Sequence, residues 1–303
     1  MGIFIEFYTQ IFPYLLAIPF GYWIQRKGIF PKSWLTNPLI YVLMPVLVIH
    51  HVLEADPVKV TVLPVMAFAL ALAMVLPALL ASKTFAQKYD VNLLKSSFSF
   101  FNVAFFGIPI VAVLFGKESI TVLICIYIGT ALYGDIVGYY QMARSTNSRK
   151  ASIAKIFQVP FIYAFVLAVF LKLISFEKPD FVSSIADVFG VVVSFAGMMI
   201  IGSNLSNIKF KGLDWPFISK LTVLRLFSAI GFMAVLMLAE YHFLDVLELE
   251  DRKMLAVVAL FPVAANVTVF ASFFGSEEEN SALLVLVTLV VSLLLVPLLA
   301  SFF

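Results

Sequence analysis

Polar positions in this chain are gathered into short stretches that separate long apolar runs. Crossing the hydrocarbon core of a bilayer takes about 20 apolar residues in a helix. Ten runs meet that length: Ile5–Ile24, Leu35–Leu53, Val60–Ser82, Leu93–Phe115, Ile120–Ala143, Ile156–Ile174, Ser184–Leu205, Pro216–Ala239, Met254–Phe274 and Ala282–Phe302. The pattern predicts an all-α integral membrane protein with ten transmembrane spans. The connections are short, so no soluble domain is expected between spans. Met1–Glu6 has no basic segment and no small-residue cleavage site follows, so the first run reads as a permanent helix rather than a signal peptide.

Composition agrees with this reading. Of 303 residues, 62% are apolar and 13% charged, against roughly a quarter charged in a soluble domain. Mean hydropathy is +1.05. The single cysteine, Cys125, excludes an intrachain disulfide and a cysteine metal cluster. With three histidines, no metal or other cofactor is expected, and nothing points to nucleic acid. No Gly-Lys-Ser/Thr phosphate loop is present, so ATP is not expected as the energy source.

Charge placement sets orientation. Connections after odd-numbered spans, with the adjoining ends, hold Arg26, Lys27, Lys32, Lys83, Lys88, Lys95, Arg144, Arg149, Lys150, Lys155, Lys209, Lys211 and Lys220. The opposite side holds Lys59, Lys117, Lys172, Lys178, Arg252 and Lys253. The first side is therefore expected to be cytoplasmic, with both termini extracytoplasmic and the chain multi-pass in the cell membrane.

Two stretches resemble each other. One reads Phe101-Asn102-Val103-Ala104-Phe105-Phe106-Gly107-Ile108-Pro109, followed by Leu114-Phe115-Gly116-Lys117-Glu118. The other reads Phe261-Pro262-Val263-Ala264-Ala265-Asn266-Val267, followed by Phe273-Phe274-Gly275-Ser276-Glu277. Each lies in the fourth span of a five-span set. An odd repeat enters the membrane upside down the second time, which is the inverted repeat of many secondary transporters. Residues 1–150 and 151–303 are the two expected repeats.

Pro109 and Pro262 fall inside the fourth and ninth spans. A proline there removes a hydrogen bond and clashes with the preceding turn. Backbone freed in this way persists at membrane depth only inside protein or beside water. Asn102, Gly107 and Asn266 flank the prolines and suit unwound backbone, through amide donors and acceptors or free φ. The plain alternative is a pair of proline kinks, which is how Pro19, Pro45, Pro64, Pro77 and Pro160 read. Matching positions in both halves favour a site at Asn102, Gly107, Pro109, Pro262 and Asn266.

These stretches, the five-plus-five count and the outward termini make the chain similar to the auxin efflux carrier family, which includes bacterial permeases for small carboxylates. The resemblance implies a scaffold of spans 1, 2, 6 and 7, and a moving domain of spans 3–5 and 8–10. Spans 4 and 9 would cross at their breaks. Asn102 and Asn266 would hold a substrate carboxylate, and the scaffold would form a homodimer. Val103 and Ala104 stand where the family often has small polar or glycine residues. The bile-acid:sodium symporters share the architecture, so a sodium-coupled carrier of a larger amphipathic anion is the alternative.

Two charges lie deep in spans, Asp135 and Arg225. Intramembrane charges are costly and mark functional sites by default. Coupling to protons or Na⁺ through Asp135, a static Asp135–Arg225 ion pair, and the lining of a wet cavity remain open. For Arg225, attraction of an anion stands beside the static pair. His50 and His51 read as a wet interfacial pair. A channel or receptor is less favoured because no polar pore stripe is visible. An enzyme is not expected, since no Ser/His pair, His-Glu-x-x-His or paired aspartates occur at depth. The expected function is secondary transport of a small organic anion by elevator-type alternating access.

Overall fold

The computed structural model describes residues 2–31, 33–138, 140–141, 160–179, 181–206, 214–268 and 278–303. These residues are almost entirely helical. In chain order the helices are α1 (Gly2–Lys27), α2 (Ser33–Glu54), α3 (Pro57–Thr84), α4 (Val91–Ser99), α5 (Gly107–Leu114), α6 (Lys117–Gly138), α7 (Pro160–Leu173), α8 (Phe181–Leu205), α9 (Trp215–Phe243), α10 (Leu249–Val258) and α11 (Glu278–Ala300). α2 widens to π geometry at Leu39–Leu43, and α6 ends in a π segment at Tyr133–Gly138. Among the described residues, six helices are long and apolar enough to cross a membrane: α2, α3, α6, α8, α9 and, over Asn280–Ala300, α11. The protein is multi-pass.

Local sequence sets the helix ends. Asp56 accepts from Val58 N with Pro57 in the first turn. Asp90 accepts from Asn92 N and Leu93 N, and Asp214 from Phe217 N ahead of Pro216. Glu248 and Asp251 form a reciprocal capping box at the start of α10. Each satisfies amide donors that a helix start leaves unpaired. α1 ends in Arg26 and Lys27, which suit the negative end of the helix dipole.

Two helix pairs pack with almost no side chain between them. A Cβ on Gly21 would lie 2.1 Å from Met199 O, and one on Gly202 would lie 1.8 Å from Ile18 O. α1 and α8 are therefore in backbone contact. A Cβ on Gly129 would lie 2.1 Å from Pro64 O, which joins α6 to α3 in the same way. Small residues allow this approach, and dispersion then holds the pair where no hydrophobic drive between lipid-bathed helices exists. The outer faces carry exposed apolar side chains such as Phe12, Leu16, Val65, Leu76, Phe227 and Val235, as contact with lipid requires.

Several expectations fall outside the described residues. These are the loop charges Lys32, Arg144, Arg149, Lys150, Lys155, Lys209 and Lys211, the repeat boundary at 150/151, and the second turn at Phe273–Glu277. The corresponding first turn is described: Gly116 has φ +86° between α5 and α6.

Candidate functional site: a crossing of two helix breaks

The expected fourth span is interrupted. α4 stops at Ser99, α5 starts at Gly107, and Phe100–Phe106 between them is not helical. The expected ninth span is interrupted after α10 ends at Val258, and a helical turn resumes at Asn266. The two gaps meet. Phe101 and Val263 form an isolated antiparallel bridge. Asn102 N donates to Pro262 O at 2.9 Å, and Ala264 N donates to Phe100 O at 3.0 Å. Each break thus satisfies part of the other's freed backbone.

Pro109 is not at the break itself. It sits in the first turn of α5, where its missing N–H has no intrahelical partner to lose. The interruption lies upstream, at Asn102 and the bulky residues around it. Pro262 is inside its gap, and its carbonyl accepts from Asn102. Gly107 allows close approach: a Cβ there would lie 2.7 Å from the Phe261 ring. Phe106 and Phe261 stack edge to face at 5.3 Å.

Asn102 is 3% exposed and caps the new helix. Its Oδ1 accepts from Phe106 N at 3.3 Å, and its carbonyl accepts from Gly107 N at 3.2 Å. Its Nδ2 is buried without a hydrogen-bond partner among the described residues. A buried donor left unpaired costs about 1–3 kcal/mol, so this amide is poised for an acceptor. Asn266, its expected counterpart, is exposed at the start of the resumed helix. The structure brings Asn102, Gly107 and Pro262 together, with Pro109 one turn along α5, and leaves the Asn266 side chain outside the packed centre.

Arg225 lies at the crossing, 3% exposed, in the middle of α9. Its Nε donates to Ser97 O at 3.1 Å, and one terminal nitrogen donates to Phe261 O at 3.0 Å. The other terminal nitrogen is 3.5 Å from Phe100 O. The guanidinium also lies over the Phe101 ring at 4.4 Å. Ser97 and Phe100 belong to the carboxyl end of α4, and Phe261 follows that of α10. Arg225 therefore faces the negative ends of two half-helices. Among the described residues no ion pair joins it to Asp135. Asp135 sits in the π segment of α6, and among the described residues no hydrogen bond or ion pair reaches its carboxylate.

Other side chains close the second break. Ser292 Oγ donates to Leu260 O at 2.6 Å, and Thr288 Oγ1 accepts from Val263 N at 3.1 Å. Both come from α11. Asn204 of α8 donates to Ala265 O at 2.9 Å. The sequence pattern does not single out any of these three. Thr288 and Ser292 are four residues apart in an apolar run, so one helix face carries both, and that spacing is the one signal available.

A family model described as membrane transport protein matches residues 6–300. The chain belongs to that family, the auxin efflux carriers. Among proteins of curated function, none matches the chain. Membership makes the molecule a membrane transport protein, and among the described residues the crossing is where irregular backbone, a buried charge and an unpaired amide coincide at depth. The expected wet interfacial position of His50 and His51 is corrected: they are 4% and 8% exposed, packed inside a polar cluster at the end of α2.

Proposed function

We propose that this membrane transport protein is a secondary active carrier of a small organic anion, and that the anion's carboxylate binds at the crossing. The observation that carries this reading is an imbalance of charge. Three half-helix ends and the helical turn at Asn266 converge there. The two carboxyl ends have Arg225 as their counter-charge. The two amino ends, at α5 and at Asn266, have no acidic side chain among the hydrogen bonds and ion pairs of the described residues. Helix amino ends attract anions, and the free Asn102 amide adds a donor. A neutral donor set holds the carboxylate without placing a further fixed charge in the membrane.

The reading extends to ten spans in two inverted repeats, 1–150 and 151–303. Spans 1, 2, 6 and 7 are the scaffold, spans 3–5 and 8–10 move as an elevator, both termini lie outside the cell membrane, and the scaffold pairs two protomers. The backbone contact of α1 with α8, and of α3 with α6, supports two separately rigid bodies. Asp135 is the proposed proton or Na⁺ coupling residue, because it is an intramembrane carboxylate in the moving part.

Flux into proteoliposomes tests the class. Uptake of a carboxylate from a panel of mono-, di- and indole acids should saturate and be accelerated by unlabelled substrate on the far side. Flux that follows the membrane potential without saturation, for every acid, would make the protein a channel. Asp135→Asn should abolish the dependence of uptake on pH or Na⁺; unchanged dependence would remove Asp135 from coupling.

A further inference from the structure

The carboxyl end of α2 carries a polar cluster that lies outside the crossing. His50 and His51 are adjacent and almost fully buried, and Glu54 lies one turn on. Each offers one ligand atom, and the three atoms lie within 4.8 Å of one another. The cluster already holds a cation. The Lys178 ammonium, from the connection between α7 and α8, is 3.2 Å from His50 Nδ1 and 2.7 Å from Ser183 Oγ, and it bonds Glu54.

The hydrogen bonds fix the state of the His50 imidazole and the orientation of the His51 ring. Nδ1 of His50 faces an ammonium, which has donors only, so this nitrogen is the acceptor. The other nitrogen, Nε2, then carries the proton toward Glu54 at 3.2 Å. His50 is therefore a neutral imidazole with an available lone pair, the form that binds a metal. His51 is oriented by a 3.0 Å contact between its Nδ1 and Thr121 Oγ1 of α6, which leaves Nε2 for a metal. Orientation of a ligating imidazole through its second nitrogen is a regular feature of metal sites.

We propose that His50, His51 and Glu54 form a site for a divalent transition metal of the zinc type, which binds by displacing the Lys178 ammonium. Two imidazoles and one carboxylate with a fourth position open are a zinc donor set. Ligands at about 2.0–2.2 Å from one zinc stand about 3.4 Å apart, so a small inward movement from the present spacing closes the set. Access is through Glu54, whose side chain is 36% exposed, and Lys178, 19% exposed. The imidazole ligands exclude Mg²⁺ and Ca²⁺, which prefer oxygen. Lys178 acts as an internal competitor: its ammonium leaves toward solvent when the metal enters, so the metal competes with this lysine as well as with protons.

The test is Zn²⁺ binding to the detergent-solubilised full chain, freed of any affinity tag, read by apparent Tm and by calorimetry. Zn²⁺ should raise the wild-type Tm, and Mg²⁺ and Ca²⁺ should not. Lys178→Ala should bind Zn²⁺ at least tenfold more tightly. Thr121→Val should weaken binding roughly tenfold to a hundredfold. His50→Gln and His51→Gln should each lose the Tm shift. Asn102→Ala should keep it, which separates this site from the crossing. If a glutamine variant fails to fold, Lys178→Ala and Thr121→Val still decide. Absence of Zn²⁺ binding in both wild type and Lys178→Ala overturns the proposal. So does Zn²⁺ binding that is equal in wild type, Lys178→Ala and Thr121→Val.

Discussion

The two breaks come from similar stretches of sequence, and they are closed differently. The first is closed largely by its own chain. Asn102 caps α5 through Oδ1 and its carbonyl, and Val103 N turns back to Phe101 O at 2.9 Å. The second is closed from outside: Ser292, Arg225, Thr288 and Asn204 reach in from three other helices to Leu260, Phe261, Val263 and Ala265. A self-closed break keeps a donor to spare, the buried Asn102 amide. An externally closed break has its groups committed. Under the proposed function, the difference suits the first to face a ligand and the second to serve as a fixed frame. Arg225 belongs to both, since it joins Ser97 O of one break to Phe261 O of the other.

Removing Arg225 should therefore have the largest effect. Arg225→Gln leaves buried carbonyls of both breaks without a charged donor. At about 1.5–3 kcal/mol for each bond to a charged group, the two shorter bonds amount to about 3–6 kcal/mol. Thermal unfolding in detergent should show a large fall in apparent Tm, with partial recovery in Arg225→Lys, whose compact ammonium does not reproduce the fork. Melting at the wild-type temperature would break the comparison at its shared member.

Asn102→Ala should separate binding from folding. Loss of a neutral donor to a charged group should raise the substrate Kd roughly tenfold to a hundredfold, measured by calorimetry on the acid found in the flux panel. The Kd should move far more than the Tm. An unchanged Kd would place the site away from the first break. Thr288→Val sharpens the contrast from the other side. It removes the acceptor for Val263 N and should cost about 1–3 kcal/mol in stability, read as Tm, with Kd nearly unchanged. A Kd change as large as that of Asn102→Ala would make the second break a ligand-binding element as well.

Asn266→Ala should have the smallest effect. Its side chain is exposed beside the packed centre, so stability should not change, and Kd should change less than in Asn102→Ala. An equal change in Kd would restore the two asparagines to equivalent roles.

Much of this protein is legible in its amino-acid pattern. Apolar runs of membrane length are a local property, and so are prolines and asparagines that interrupt them, since lipid leaves backbone groups no partner outside the chain. Those rules point to spans 4 and 9 and to Asn102, Gly107 and Pro262. They also misplace a feature. Pro109 reads as a breaking residue, yet it sits comfortably in the first turn of α5, because a proline's position relative to a helix start depends on where the start falls. The roles of Arg225, Thr288, Ser292 and Asn204 are not legible, since each acts on backbone far away in the chain.

What local pattern decided is the membrane class, the family resemblance and the residues of the first break. What needed three dimensions is partnership. Arg225 is one charge in an apolar run with two readings open; only the convergence of α4 and α10 makes it the counter-charge to both carboxyl ends. His50 and His51 stand at a helix end that reads as water-facing; the approach of Lys178 and Thr121 buries them. In the water-free core of a membrane an unpaired polar group is costly, so sequence shows that a partner must exist, and only the packing of distant helices selects it.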